Sequence, residues 1–204
     1  MAAYSMVSVP KQGANPGVPE GKKNVVIIFD FDQVKTYTRD EKSVTVTAFE
    51  LNTGVTPIGL FVNEATIDDG DEVEGEAYAR AFIHHVNFDH PGTGTAVAEF
   101  KANNVNANLG AIVMPCDPSV TTAKIYGTPC APLKMQAANG QSTNEAHNTH
   151  FELKAEQRTY PMGIIAKTLI PATDNSDINT YLGLTVPSPS GEGEGEGEGE
   201  GEGV

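Results

Sequence analysis

The sequence predicts a mainly β fold: an antiparallel β-sandwich or barrel with one packed α-helix at about residues 95–107 and extended termini. Three observations lead to this prediction. Apolar and polar residues alternate with a period of two along much of residues 22–171. Clusters of Gly, Pro, Asn and Asp separate these stretches at the spacing expected of short strands. A single stretch has the period of an amphipathic helix instead.

Eight segments have the length and patterning of strands. Val25–Phe29 is a continuous apolar run, short enough for a strand that is buried on both faces. In Ser43–Leu51, valine and alanine alternate with threonine, which is typical of a half-buried strand. The other predicted strands are Val55–Val62, Ala77–Phe88, Gly110–Met114, Thr121–Tyr126, His150–Lys154 and Gly163–Ile170.

The predicted helix begins near Thr95, which is a plausible N-cap, and ends before Gly110. Ala96, Val97 and Phe100 lie on one stripe of this helix, with polar residues opposite. We expect the helix to pack against the sheet with Phe100 as its main anchor, so that Phe100→Ala costs about 3–5 kcal/mol.

The sequence divides into four parts. Residues 1–21 are rich in Gly, Pro and Ala and predict an extended N-terminal arm. Residues 22–171 form the predicted β domain, and residues 172–190 form a polar connector or second arm. Residues 191–204 are a Gly-Glu repeat that is expected to be disordered, because it has no apolar surface to bury.

The charge of the chain excludes some classes of function. Its 204 residues carry a formal net charge of −14, and removal of the six glutamates of the Gly-Glu repeat leaves −8 on the rest. A basic stripe that could neutralise phosphates is missing from the sequence, which argues against tight nucleic-acid binding. No apolar run approaches the roughly 20 residues that cross a bilayer, and the N-terminus does not resemble a secretory signal. We therefore expect no membrane partner.

Asp30 and Asp32 are the main reason to consider an enzyme as an alternative function. They follow the apolar run of Val25–Phe29, and a strand that ends in Asp-x-Asp resembles the first motif of haloacid-dehalogenase-type phosphotransferases. That resemblance implies Asp30 as nucleophile and Asp32 as general acid/base beside magnesium. The family requires an α/β fold with several crossover helices, whereas this sequence predicts one helix. The competing interpretation is a strand that runs into an Asp-containing turn.

The sequence predicts no catalytic residue, metal site or cofactor. Residues 64–76 hold a run of carboxylates without a basic residue, but the EF-hand ligand pattern fails there, which favours a solvated loop between two strands. His84 and His85 point to opposite faces of a predicted strand, so they do not readily share one metal ion.

Four stretches of the body carry a resemblance to phage tail proteins of the tail-tube type, as found in phages and prophages of gut Bacteroidetes. They are residues 24–32, 38–42, 89–106 (DHPGTGTAVAEFKANNVN) and 151–171 (FELKAEQRTYPMGIIAKTLIP). The resemblance spans about residues 22–171. It implies a virion structural protein, a β-sandwich with a flanking helix, that assembles into commonly hexameric rings stacked as a tube. A capsid or tail decoration protein with the same fold but no lumen is the other structural alternative.

The resemblance also implies partners and a location. The chain would associate with copies of itself and with other phage tail proteins, and DNA would pass through the lumen without sticking. It would be made in the cytoplasm of the bacterial host and would reside in the virion tail. An acidic lining repels phosphates, and the acidic loop is the candidate luminal segment: Asp68, Asp69, Asp71, Glu72, Glu74 and Glu76. The candidate assembly residues are Val7, Val9, Phe100, Tyr181, Leu182 and Leu184.

Overall fold

Eleven β-strands and two α-helices make up the computed structural model, which describes residues 8–11 and 20–184. The predicted mainly β fold is therefore confirmed. The strands are β1 (Lys22–Asp30), β2 (Val34–Arg39), β3 (Thr45–Leu51), β4 (Ile58–Phe61), β5 (Asp68–Glu74), β6 (Ala81–Pro91), β7 (Leu109–Pro115), β8 (Thr122–Tyr126), β9 (Leu133–Ser142), β10 (His147–Ala155) and β11 (Gly163–Ala166). The helices are α1 (Thr95–Asn104) and α2 (Ser176–Leu182).

The strands form one mixed sheet rather than a purely antiparallel one. The hydrogen-bonded order is β2-β3-β11-β8-β7-β9-β10-β6-β5, and β1 joins β7 to β4. β3 and β11 are parallel, and the other strand pairs are antiparallel. Within the described residues, β2, β4 and β5 each pair on one side, so the sheet does not close into a barrel.

Two apolar cores lie on opposite faces of β1 and β7. Val26 and Ile28 of β1 point into one core, whereas Val25 and Ile27 point into the other. Both strands therefore need apolar residues at nearly every position, which explains the continuous run of Val25–Phe29. The Phe29 ring lies so close to Gly110 of β7 that a Cβ atom at residue 110 would overlap it.

Helix α1 packs on the first core less deeply than the sequence predicts. Val97 and Phe100 are half-buried, and the Phe100 ring meets Phe151 of β10 edge-on at a centroid distance of 5.5 Å. No residue of α1 is fully buried. The predicted N-cap is wrong by one residue: Gly94 is the N-cap, and Thr95 is the first helical residue.

The predicted domain boundary at residue 171 does not agree with the structure, because α2 packs on the second core. Leu182 and Leu184 are buried in that core, so residues 172–184 are not an extended connector. The Asn175 side chain caps α2 by accepting hydrogen bonds from the backbone N–H groups of Asp177 and Ile178. Gly183 ends the helix at φ 72°, a left-handed conformation that glycine adopts without strain.

Three strands were not predicted from the sequence: β2, β5 and β9. β2 and β9 are rich in polar residues, and β5 is almost entirely acidic. Pairing with a neighbouring strand holds β5 and β9 in an extended conformation that their own residues favour weakly.

Parts of the predicted arms lie outside the described residues. These parts are residues 1–7, 12–19 and 185–204, which include Val7 and the whole Gly-Glu repeat. Neither described helix is long and apolar enough to cross a membrane.

Candidate functional site

The acidic segment of the chain forms strand β5 at one end of the sheet, so the predicted loop is wrong. β5 runs antiparallel to β6, with Asp68 opposite Asn87 and Glu74 opposite Ala81. Successive side chains of a strand point to opposite faces. Asp68, Glu72 and Glu74 therefore lie on one face of the sheet, whereas Asp69 and Asp71 lie on the other.

The exposed face of β5 continues across β6 and β10. The register of these three strands places five carboxylates, two imidazoles and one ammonium on the same face, which we call the acidic face. Its members are Asp68, Glu72 and Glu74 of β5, His85, Asn87 and Asp89 of β6, and His150, Glu152 and Lys154 of β10. The opposite face of β6 and β10 carries Phe88 and Phe151, which belong to the first core.

The acidic face keeps a net negative charge. Lys154 is its one basic residue with a permanent charge, and its Nζ atom lies 3.9 Å from Glu72 and 3.7 Å from Glu74. All three side chains are about half exposed, so these ion pairs contribute little to stability. With both histidines neutral, four of the five carboxylate charges are not offset.

His150 is held between two carboxylates of the acidic face. Its Nδ1 atom lies 2.6 Å from Asp89 Oδ1, and its Nε2 atom lies 3.4 Å from Glu152 Oε1. Asn148 fixes Asp89 by donating a hydrogen bond to the other carboxylate oxygen. The hydrogen bond with Asp89 raises the pKa of His150 above its usual range. His150 therefore gains a proton, and the face loses a negative charge, at a higher pH than for a free histidine.

The opposite side of β5 is a buried polar cluster. The Asp69 side chain is fully buried, forms an ion pair with Lys22 of β1, and accepts a 2.5 Å hydrogen bond from the Tyr126 hydroxyl of β8. Lys22 also donates a hydrogen bond to the carbonyl oxygen of Ile67. Burial raises the pKa of Tyr126, and the nearby Asp69 carboxylate raises it further. Asp69 thus fixes β5 to β1 and β8 through the inside of the molecule.

Asp71 and His84 extend the buried cluster towards the loop before β11. Asp71 accepts a hydrogen bond from the backbone N–H of Met162. His84 Nδ1 accepts a hydrogen bond from Gly127 N–H, so Nε2 carries the proton and donates to the carbonyl oxygen of Tyr160. Burial lowers the pKa of His84, which keeps its ring neutral. His84 and His85 point to opposite faces, as the sequence indicates.

The six predicted luminal acids are therefore not equivalent. Asp68, Glu72 and Glu74 belong to the acidic face, whereas Asp69 and Asp71 point into the molecule and are partnered there. Glu76 lies beyond the end of β5, in the exposed connection to β6.

Asp30 and Asp32 have partners within their own turn and the neighbouring loop. Asp30 Oδ1 accepts a hydrogen bond from the backbone N–H of Asp32 and caps the short turn that follows β1. Both carboxylate oxygens of Asp32 lie 2.9 Å from the side-chain amide of Asn108. These contacts are the ones expected of an Asp-containing turn after a strand. In the described ranges, no group of three or more His, Cys, Asp or Glu residues is arranged to hold a metal ion.

The candidate assembly residues differ in exposure. Val9 is 89% exposed and Tyr181 is 47% exposed. Leu182 and Leu184 are buried in the core of their own chain, so the prediction that they seat on a neighbour is wrong. Phe100 is half-buried against Phe151, and Val7 lies outside the described residues.

Comparisons of the chain with protein families, with curated proteins and with solved structures find no match.

The sequence interpretation missed the part of the acidic face that lies on β6 and β10. The signal was present as a period of two: Asn87 and Asp89 alternate with core residues, as do His150, Glu152 and Lys154. What the pattern cannot supply is the register, which brings these residues beside β5.

Proposed function

We propose that the chain is a structural subunit of the phage tail-tube type, whose copies associate into stacked rings that enclose a conduit for DNA. The observation that carries this proposal is the acidic face: an exposed surface of three paired strands with five carboxylates and Lys154. The acidic face would line the lumen, where its charge repels the phosphates of passing DNA. On this proposal the protein is made in the host cytoplasm and resides in the virion tail.

Unpaired strands support self-association. β2 and β5 end the sheet, and each exposes one row of backbone N–H and C=O groups to a second chain. A head-to-tail contact of this kind forms a closed ring when its rotation completes a circle. Further copies and other tail proteins are therefore the proposed partners, and DNA is a transient cargo.

A charge-reversal variant tests the luminal role of the acidic face. We expect Asp68→Lys/Glu72→Lys/Glu74→Lys to assemble and to retain duplex DNA at low salt, because the added cations release counterions from the phosphates. The matched control is Glu41→Lys/Glu145→Lys/Asp174→Lys, which makes the same change of charge at exposed positions away from the acidic face. DNA retention is measured by co-sedimentation with the assembled protein, after circular dichroism has confirmed folding.

The expected result is DNA retained by the acidic-face variant and released by the control and the unchanged chain. Equal retention by both variants would contradict a special role of this face. A protein that stays monomeric at all concentrations would contradict the tube, and DNA bound by the unchanged assembly would contradict a non-sticking conduit.

A further inference from the structure

A groove lies between the edge of β4 and helix α1, on the opposite side of β10 from the acidic face. It has a volume of about 260 Å³ and is lined mainly by apolar side chains. Leu60 and Phe61 of β4 form one wall, Ala96, Val97 and Phe100 of α1 form the other, and Phe151 lies beneath. Phe61 is 50% exposed, although it is one of the largest apolar residues of the chain. We call this feature the edge groove.

The strand that borders the edge groove offers its backbone to a partner. β4 pairs with β1 alone among the described strands. Val62 N–H donates to the carbonyl oxygen of Asn24 in β1, so its neighbour Phe61 directs its own backbone groups away from β1. The Phe61 carbonyl oxygen accepts a hydrogen bond from His90 Nδ1, which agrees with this direction and already occupies that acceptor. By the same alternation, the N–H and C=O of Gly59 also point outward, where an added strand could bind them.

The N-terminal segment of the chain matches the edge groove. In Met6-Val7-Ser8-Val9, the two valines are two residues apart and would point to the same face of a strand. Val9 is 89% exposed in the isolated chain, so it has no apolar partner there. Pro10 lacks an N–H donor and would end an added strand.

The length and the charge of the N-terminal segment also agree with binding in the edge groove. Ten residues lie between Val9 and Glu20, where the described body resumes, and the eleven Cα-to-Cα steps span up to about 36–40 Å when extended. That length exceeds the roughly 30 Å diameter of a small domain, so the segment can extend to a second copy. Residues 1–19 contain Lys11 and no acidic residue, whereas the chain as a whole carries −14. One exposed acid, Glu99, lies on α1, the helix that forms one wall of the groove.

We infer that the edge groove binds residues 6–9 of a second copy of this chain as an additional strand beside β4. Val7 and Val9 contact Leu60, Val97 and Phe100, and Lys11 lies near Glu99 of α1. This inference rests on the proposed self-assembly, and it assigns to the N-terminal segment a binding site that is separate from the acidic face.

Photo-crosslinking of the full chain tests this inference. A benzophenone amino acid at position 9 is placed in unlabelled protein, which is mixed with an excess of nitrogen-15-labelled protein that lacks the crosslinker. After irradiation, mass spectrometry identifies the joined peptides and their isotope content. We expect unlabelled residues 8–11 joined to labelled peptides that contain residues 58–61 or 95–100. Crosslinks to other regions, or within one chain alone, would overturn the inference.

Substitutions give a second readout. We expect Val9→Asp and Phe61→Asp each to raise the Kd of self-association by about tenfold or more, because each removes apolar burial from the contact. Val105→Asp is the matched control, since Val105 is 51% exposed and follows α1 outside the edge groove. An equal effect of all three substitutions, or no effect of any, would contradict the inference.

The outcomes separate this inference from the proposed function. Rings in the electron microscope, together with crosslinks away from the edge groove, would overturn the inference but would agree with the proposed tail-tube function. Groove crosslinks between the copies of a small dimer that forms no rings would support the inference and contradict the tube. A chain that stays monomeric without crosslinks between copies would overturn both.

Discussion

Asp69 is the residue whose burial matters most for the position of the acidic strand. Its side chain is fully buried, and its charge is balanced by Lys22, whose own side chain is 23% exposed. Loss of one partner of a buried ion pair typically costs about 3–5 kcal/mol, because the other charge stays buried without compensation. Lys22 keeps some contact with water, so the cost here should fall at the lower end of that range.

We therefore expect Asp69→Asn to reduce the free energy of unfolding by about 3 kcal/mol in urea denaturation. The control is Asp68→Asn on the exposed side of the same strand, which should change it by less than about 0.5 kcal/mol. Equal effects of the two substitutions would show that Asp69 does not fix β5 from the inside.

His150 makes the acidic face sensitive to pH. Because its folded-state pKa is raised, its contribution to stability is fully present below the pKa of histidine in the unfolded chain. That contribution is lost as the pH rises through the folded-state value. We expect Asp89→Asn to lower the pKa of His150, measured by NMR titration of its ring protons. Asp68→Asn, beside His85, should leave the pKa of His150 unchanged.

Helix α2 tests where the folded domain ends. Leu182 is 4% exposed in the second core, so Leu182→Ala should reduce the free energy of unfolding by about 2–4 kcal/mol. Tyr181, its neighbour in the helix, is 47% exposed, and Tyr181→Ala should cost about 1 kcal/mol or less. An unchanged thermal midpoint on Leu182→Ala would indicate that residues 172–184 form an arm outside the folded domain.

Helix α1 should contribute less than a core helix does. Phe100 is half-buried beside Phe151, so we expect Phe100→Ala to cost about 1.5–3 kcal/mol rather than the 3–5 kcal/mol expected of full burial. The control is Ala102→Gly at an exposed position of the same helix, which should cost about 1 kcal/mol through helix propensity alone. Thermal denaturation of the two variants therefore separates the contribution of Phe100 packing from that of helix propensity. A larger loss on Ala102→Gly would show that Phe100 is not the anchor.

The sequence predicts strands well where burial alone determines the pattern. β1 and β7 are found because both of their faces contact a core, and β3 because one face does. β5 is missed because its residues favour solvent, and its extended conformation comes from pairing with β6 and from the burial of Asp69. α2 is missed because its seven residues are mostly polar, and its stability comes from the Asn175 cap and two buried leucines.

The functional residues show the same division. The carboxylates of β5 can be read from composition, but their separation into an exposed set and a buried set depends on strand pairing. The contributions of β6 and β10 depend on the register, which places His150 opposite Asp89 and Lys154 opposite His85. A single sequence does not encode that register in any local pattern.

At the scale of the whole molecule, an acidic face, unpaired strands and an N-terminal segment would act together in one assembly. The edges of β2 and β5 and the edge of β4 are separate edges of the sheet, so a ring contact and a contact with residues 6–9 can coexist. Added salt should leave the apolar contacts of residues 6–9 intact. It should also screen the repulsion between acidic subunits, because the Debye length is about 10 Å at 0.1 M salt. We therefore expect self-association to strengthen from low to moderate salt, measured by sedimentation velocity.

Negative-stain electron microscopy of the purified full chain shows whether the subunits form rings that stack into a tube. We expect rings of uniform diameter with a central hole, and short tubes where such rings stack. The images should be recorded at several protein concentrations and at moderate salt, where repulsion between subunits is screened. Small monodisperse particles without a central hole under all these conditions would contradict the proposed tube.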